Sequence, residues 1–265
     1  MGPDLPGSED PGLHTISLRT VPRMLARLIA PQWSALDAGR SEFRWEFARL
    51  LRESPELRGR VLDIGCGANL PIELGRMRAS FGPLDGVDPD PAIARHPWLV
   101  NRWQGRFESC PVPEQAYDLA FAYNVLEHLA EPRPFFVKLA AVLKPGGVFW
   151  AMAPNARHPF ALASRGVDLL GLKPLARRLL GQRSSFAMNV NEYASYYRSN
   201  SPAAIRRAIA GLGFVRASFI HVPCAQWDRY FPPALRWAPR TWDVLVSTRA
   251  PSLSLILIVK LEKQI

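Results

Sequence analysis

The sequence predicts an α/β protein: a doubly wound, mostly parallel sheet with helices on both faces. Three observations carry that expectation. From Arg60 onward, short apolar runs alternate with helical stretches, the order that builds a buried parallel sheet. Two glycines directly follow the first run, in Val61–Asn69, "VLDIGCGAN", where a bare backbone lets a ligand approach closely. Aspartates stand at the ends of the first two runs, Asp63 and Asp88, along the edge where right-handed crossovers gather the ligand-binding loops.

The elements follow in order. Residues 1–15 are expected as a disordered tail and 16–58 as an N-terminal helical segment, with helices over Arg19–Ala30 and Ser41–Arg52. Pro55 and Gly59 interrupt the chain before a core over 59–154. Within it, strands are read at Arg60–Ile64, Pro83–Val87, Leu99–Trp103, Tyr117–Tyr123 and Val148–Ala153. Helices are read at Leu70–Arg78, Pro91–Arg95 and Pro134–Leu143, and Lys144–Gly147 reads as a sharp turn. Residues 155–200 are too long for an ordinary loop and are expected as a helical lid or insertion. The part over 201–265 supplies a helix at Pro202–Leu212, a strand at Phe214–Val222, an irregular aromatic-rich insertion over 223–251 and a last strand at Leu253–Leu261. That makes seven strands.

Composition narrows the class. With 265 residues, 48% of them hydrophobic, the chain can bury a substantial core. Cys66, Cys110 and Cys224 lie far apart and form no CxxC pair, which argues against a disulfide framework or zinc site. No secretory signal and no run of roughly 18 apolar residues is visible, so a cytoplasmic protein is expected, with membrane association open. The net charge of +10 suits an anionic partner or simply an arginine-rich surface.

Asp63 discriminates among nucleotide ligands. A phosphate-binding loop wants Lys and Ser/Thr after its glycines, and a dinucleotide loop wants a third glycine; Gly65-Cys66-Gly67-Ala68-Asn69-Leu70 offers neither. A carboxylate at this strand end repels a pyrophosphate and attracts a cation. S-adenosylmethionine (SAM) carries an ammonium and a sulfonium and no phosphate. Asp88 comes 25 positions after Asp63, close to the roughly 20-residue offset at which an acid reaches ribose hydroxyls.

The set "VLDIGCGAN", "GVDPD", "YDLAFAYNVLEHL" and "LKPGGVFWAMAPN" resembles the class I, Rossmann-like SAM-dependent methyltransferases over Arg60–Asn155. The resemblance implies a seven-stranded sheet and a SAM site. Asp63, Gly65, Cys66, Gly67 and Asn69 would line its methionyl side, while Asp88 and Pro89 would hold the ribose. In "QGRFESCPVP" the family often places an acid where this chain has Arg106, leaving Phe107 and Glu108 as adenine contacts. Tyr123 and Asn124 would sit beside the reactive methyl. Asp118 reads as structural.

Methyl transfer is an in-line displacement that depends on orientation, and an oxygen acceptor also wants a general base. His128 is the candidate base, its alternative being a packed histidine beside Glu127. In ubiquinone-pathway O-methyltransferases a similar ExxEH segment binds a divalent cation; here Asn124 replaces the first Glu, and no metal is assigned. "AYNV" is not the [ND]PP[YF] segment of amino-group DNA methyltransferases, and neither Cys110 nor Cys224 occupies a matching nucleophile motif. Nucleic acid is therefore not the expected substrate.

The insertion mixes leucines with Arg165, Lys173, Arg177, Arg178 and Arg183, so 160–183 reads either as a lid or as a peripheral membrane contact. Tyr193, Tyr196, Tyr197 and Arg198 would fall near the cofactor mouth as substrate contacts. The expected function is SAM-dependent methyl transfer to a small-molecule or lipid-linked acceptor, at oxygen. The rivals are an inactive SAM-binding partner subunit, a membrane-binding module and an RNA methyltransferase.

Overall fold

The computed structural model describes residues 42–171, 194–223, 228, 231 and 233–265. The expected tail over 1–15, the helix over Arg19–Ala30, most of the expected insertion beyond Gly171, and Tyr193 lie outside the described residues.

The seven strands are β1 Val61–Ile64, β2 Leu84–Asp88, β3 Arg102–Gln104, β4 Tyr117–Tyr123, β5 Leu143–Pro154, β6 Phe214–Val222 and β7 Ile256–Lys263. They form one sheet in the order β3-β2-β1-β4-β5-β7-β6. Every pairing up to β5 is parallel, and β7 runs antiparallel between β5 and β6. The doubly wound, mostly parallel sheet is therefore present.

Both faces are covered, and alternation along each strand divides the core in two. Leu62 and Ile64 of β1 and Phe149 and Ala151 of β5 pack with α3 (Pro132–Val142) and α5 (Pro202–Ile209) through Phe135, Phe136, Leu139 and Ile205. Val61, Phe121, Trp150 and Met152 face the other way, against Phe43, Phe47 and Leu51 of α1 (Glu42–Glu53) and Leu74 of α2 (Ile72–Arg76). With period two, Asp63 and Tyr123 point to this α1/α2 face.

Polar groups gather at the strand ends. At the amino end, fully buried Asp85 accepts hydrogen bonds from Arg60 Nε (2.9 Å), Tyr117 Oη (2.9 Å), Asn101 N (3.0 Å) and Asn101 Nδ2 (2.8 Å). Asp118 joins Lys144 at 2.8 Å and caps Arg60 N at 2.7 Å, the structural role expected of it.

Several boundaries differ from the sequence reading. The helix expected over Leu70–Arg78 is one α-helical turn, Ile72–Arg76, and a 3₁₀ turn, Arg78–Ser80, with Pro71 at its start. By contrast, the short helix read at Pro91–Arg95 is present with those bounds, as 3₁₀, its first amide held by the Asp90 carboxylate at 2.8 Å. Lys144–Gly147 is not a separate turn: β5 starts at Leu143, and a register irregularity against β4 absorbs these residues, with Gly146 at φ +74°. The 223–251 stretch is not irregular throughout, because Trp237–Arg249 forms α6. A buried ion pair fastens α6, Arg240 reaching Asp228 Oδ2 at 3.0 and 2.8 Å. The expected insertion opens as α4, Pro159–Leu169. Among the described residues no helix is long and apolar enough to cross a membrane.

Tyr117→Phe removes one donor from the buried Asp85 carboxylate while keeping the ring. A loss of about 1.5–3 kcal/mol is expected, read as a lower urea midpoint with unchanged slope.

Candidate active site

The loop after β1 is shaped by two left-handed glycines, Gly65 at φ +79° and Gly67 at φ +55°. A Cβ on Gly65 would run into Val125 Cγ2 of the loop after β4, so this glycine permits the two loops to close together. A Cβ on Gly67 would meet nothing within 4 Å, which leaves an open cradle beside the backbone. Cys66 turns inward: its Sγ packs near Gly86, and burial, then Asp63 and Asp88, push its thiol far up. It can offer backbone to a ligand but no thiolate. Asn69 Oδ1 accepts from Leu70 N at 2.9 Å and from Trp98 Nε1 at 3.2 Å.

Asp63 is 2% exposed, and its Oδ2 has no hydrogen-bond partner. Burial, then the Asp88 charge, raises its carboxyl well above the usual carboxylate range. An orphaned acid at the end of a buried strand is costly unless something cationic arrives. Asp88 accepts from Gly67 N at 2.8 Å and Asp90 N at 2.7 Å, tying the glycine loop to the end of β2. Pro89 is exposed at that turn. The acids, the open glycine and the orphaned oxygen fit a cationic nucleoside: Asp63 would hold the ammonium side and Asp88 the ribose hydroxyls.

The two residues expected as adenine contacts differ in exposure. The Phe107 ring is buried in the core at 5.2 Å from Phe135, so its side chain does not form an open wall. Glu108 is half-buried, with Arg106 Nε at 3.8 Å. Trp98, 43% exposed and bonded to Asn69, is an aromatic at the loop mouth that sequence reasoning missed. It lies ten residues past Asp88 with no motif to mark it.

Beyond β4, Asn124 is exposed with φ +56°, a conformation asparagine tolerates, and its amide bonds Met152 O at 2.8 Å. Tyr123 packs edge-on against Phe47 at 5.9 Å. Leu126–His128 is a 3₁₀ turn. His128 Nδ1 lies 3.0 Å from Ala194 O; a carbonyl only accepts, so Nδ1 carries the proton and Nε2 is the basic nitrogen.

The returning chain clamps this turn. Tyr196 N and Tyr197 N donate to Glu127 O at 2.7 and 3.1 Å, Arg198 Nη1 to Ala130 O at 2.8 Å and Ser199 Oγ to Leu126 O at 2.8 Å. Tyr197 is buried, while Tyr196 is 38% exposed under the Arg198 guanidinium. These bonds tie the segment to the loop after β4. Glu127, which received no role from the sequence, is buried with no partner for Oε2; burial raises its carboxyl to about 8. Among the described residues no group of three His, Cys, Asp or Glu side chains is placed to hold a metal.

Residues 38–215, more than half of the chain, match the family described as "Methyltransferase domain". An S-adenosylmethionine-dependent methyltransferase from Mesorhizobium loti has a similar structure, at TM-score 0.53 and 16% identity, over 83% of this chain and 97% of that one. A ubiquinone biosynthesis O-methyltransferase of Chelativorans sp. is 26% identical over 180 residues, 64% of this chain and 66% of the relative. A tRNA U34 carboxymethyltransferase of Idiomarina loihiensis is 31% identical over 121 residues, 41% of this chain and 36% of the relative. The chain thus spans less than two thirds of the length of these curated relatives. It belongs to the class I SAM-dependent methyltransferases, and SAM is the cofactor of that family.

Asp63→Asn separates function from stability. The neutral isostere is expected to hold or raise the melting temperature of the free protein near neutral pH, and to weaken SAM binding by about tenfold or more by calorimetry. Glu127→Gln tests the second buried acid. A raised carboxyl stabilises the fold below about 4.5 and loses that contribution as pH climbs to about 8. The wild type should therefore lose about 1.4 kcal/mol per pH unit across this window. The variant should flatten the profile of melting temperature against pH.

Proposed function

We propose that the protein transfers the SAM methyl group to an oxygen of a small-molecule or lipid-linked acceptor. The observation that carries the reading is the pairing, at one sheet edge, of the orphaned Asp63 with a histidine whose basic nitrogen is Nε2. When bound, SAM supplies an electrophilic methyl on a sulfonium. Asp63, Asp88 and the glycine-loop backbone would hold it by charge and hydrogen bonds. Tyr123 and Asn124 would border the transfer site, and His128 would take the acceptor proton at Nε2. The clamp from Tyr196 to Ser199 fixes the turn carrying His128, so the base is pre-oriented. Tyr196 and Arg198 would flank an incoming acceptor. The ubiquinone O-methyltransferase relative, named for transfer to oxygen, supports this choice over nitrogen or carbon.

The test is methyl transfer from labelled SAM to a panel of hydroxylated small molecules, prenylated phenols, free amines and RNA. Label in the hydroxylated or prenylated acceptors is expected, and His128→Ala should lower kcat about 10²-fold or more while leaving SAM affinity unchanged. Transfer only to RNA or to amines would overturn the reading.

A further inference from the structure

A second concavity lies on the α1/α2 face, distinct from the glycine loop. It is an open cleft of about 620 Å³ between α1, α2 and the carboxyl end of β6, a volume suited to a small organic ligand. Its depth along the sheet follows from register: Tyr123 pairs with Met152, Met152 with Ile258, and Ile258 with Ile220 in the cavity wall. The cavity is therefore level with Tyr123, and Phe47 on α1 touches the Tyr123 ring.

Trp45, Met77, Ile220 and Val222 supply apolar lining. The charges are unevenly compensated. Arg49 is held by Glu46 and Glu53, each at 2.7 Å, and brings no spare positive charge. Arg52 and Arg76 are exposed and make no ion pair with a carboxylate among the described residues; Arg76 lies over the Trp45 ring at 5.4 Å. Burial, then the Arg157 guanidinium, lowers the His221 imidazole. The remaining acid, Glu73, is 5% exposed with no partner for Oε2, and His221 Nδ1 is likewise buried without a partner. Polarity is thus graded, with guanidinium groups at the exposed rim and buried hydrogen-bonding groups within.

We propose that this cavity binds an anionic amphiphile, its apolar body on Trp45, Met77, Ile220 and Val222 and its carboxylate or phosphate at Arg52 and Arg76. Guanidinium groups match such anions bidentately, and a hydroxyl farther along the ligand would meet Glu73 or His221. The assignment is of a ligand site apart from the proposed transfer site, since neither His128 nor Tyr196 nor Arg198 lines the cavity. Binding itself is testable without methyl transfer.

The probe is 1-anilinonaphthalene-8-sulfonate bound to the full chain, displaced by decanoate, decyl phosphate or decanol, with phosphatidylglycerol vesicles as a separate competitor. Both acids should displace it at concentrations at least about tenfold below the alcohol. The Arg52→Gln/Arg76→Gln double variant should erase that preference, with SAM affinity by calorimetry and the melting temperature unchanged. Displacement by vesicles as well as by monomeric acids would assign the anion to a membrane lipid; displacement by the monomers alone would assign a soluble acid. Equal potency of acid and alcohol, survival of the preference in the double variant, or no displacement would overturn the proposal. Failure of SAM binding alongside a retained acid preference would sink the methyltransferase reading and leave the anion site standing.

Discussion

A sheet buried on both faces gathers polar groups at its two ends, and the candidate active site follows from how those ends differ. At the amino end the buried charge is satisfied: Asp85 collects donors from Arg60, Tyr117 and Asn101 around one carboxylate. At the carboxyl end the corresponding account is left open. Asp63 sits at the end of β1 with an orphaned oxygen and Asp88 as its neighbouring charge. The amino end is satisfied within the chain, whereas the carboxyl end keeps unfavourable electrostatics that the proposed cationic ligand would relieve.

The same contrast organises the surroundings of the open end. Tyr196 to Ser199 add four hydrogen bonds to the short stretch Leu126–Ala130. A 3₁₀ turn of three residues would otherwise hold its side chains loosely. Beneath it, Glu127 is a second acid without a partner for Oε2. The edge therefore combines a hydrogen-bonded backbone clamp with buried acids that lack partners. Arg52 and Arg76 lie apart from this edge, at the rim of the other cavity.

Much of this was legible because it is local. Buried parallel strands read as continuous apolar runs, so β1, β4 and β5 stand out at "VLDI", "YDLAFAY" and "VFWAMA". The glycine loop was equally plain, since a positive φ after a strand selects glycine on short-range grounds. Helix α6 was not legible: prolines and tryptophans disguise it, and its buried Arg240–Asp228 pair joins residues whose partnership no local pattern encodes. Trp98 was missed for the same reason, because its bond to Asn69 crosses from the β2 loop to the β1 loop.

The sequence by itself determined the class of sheet, the glycine loop and the acids at its strand ends, because periodicity and backbone conformation act over a few residues. Only the tertiary structure decided which acids stay unpartnered, which nitrogen of His128 is basic, that the Phe107 ring belongs to the core, and that Arg52 and Arg76 share a cavity with β6. Those properties depend on desolvation and on partners brought together from distant parts of the chain, and neither is encoded in local pattern.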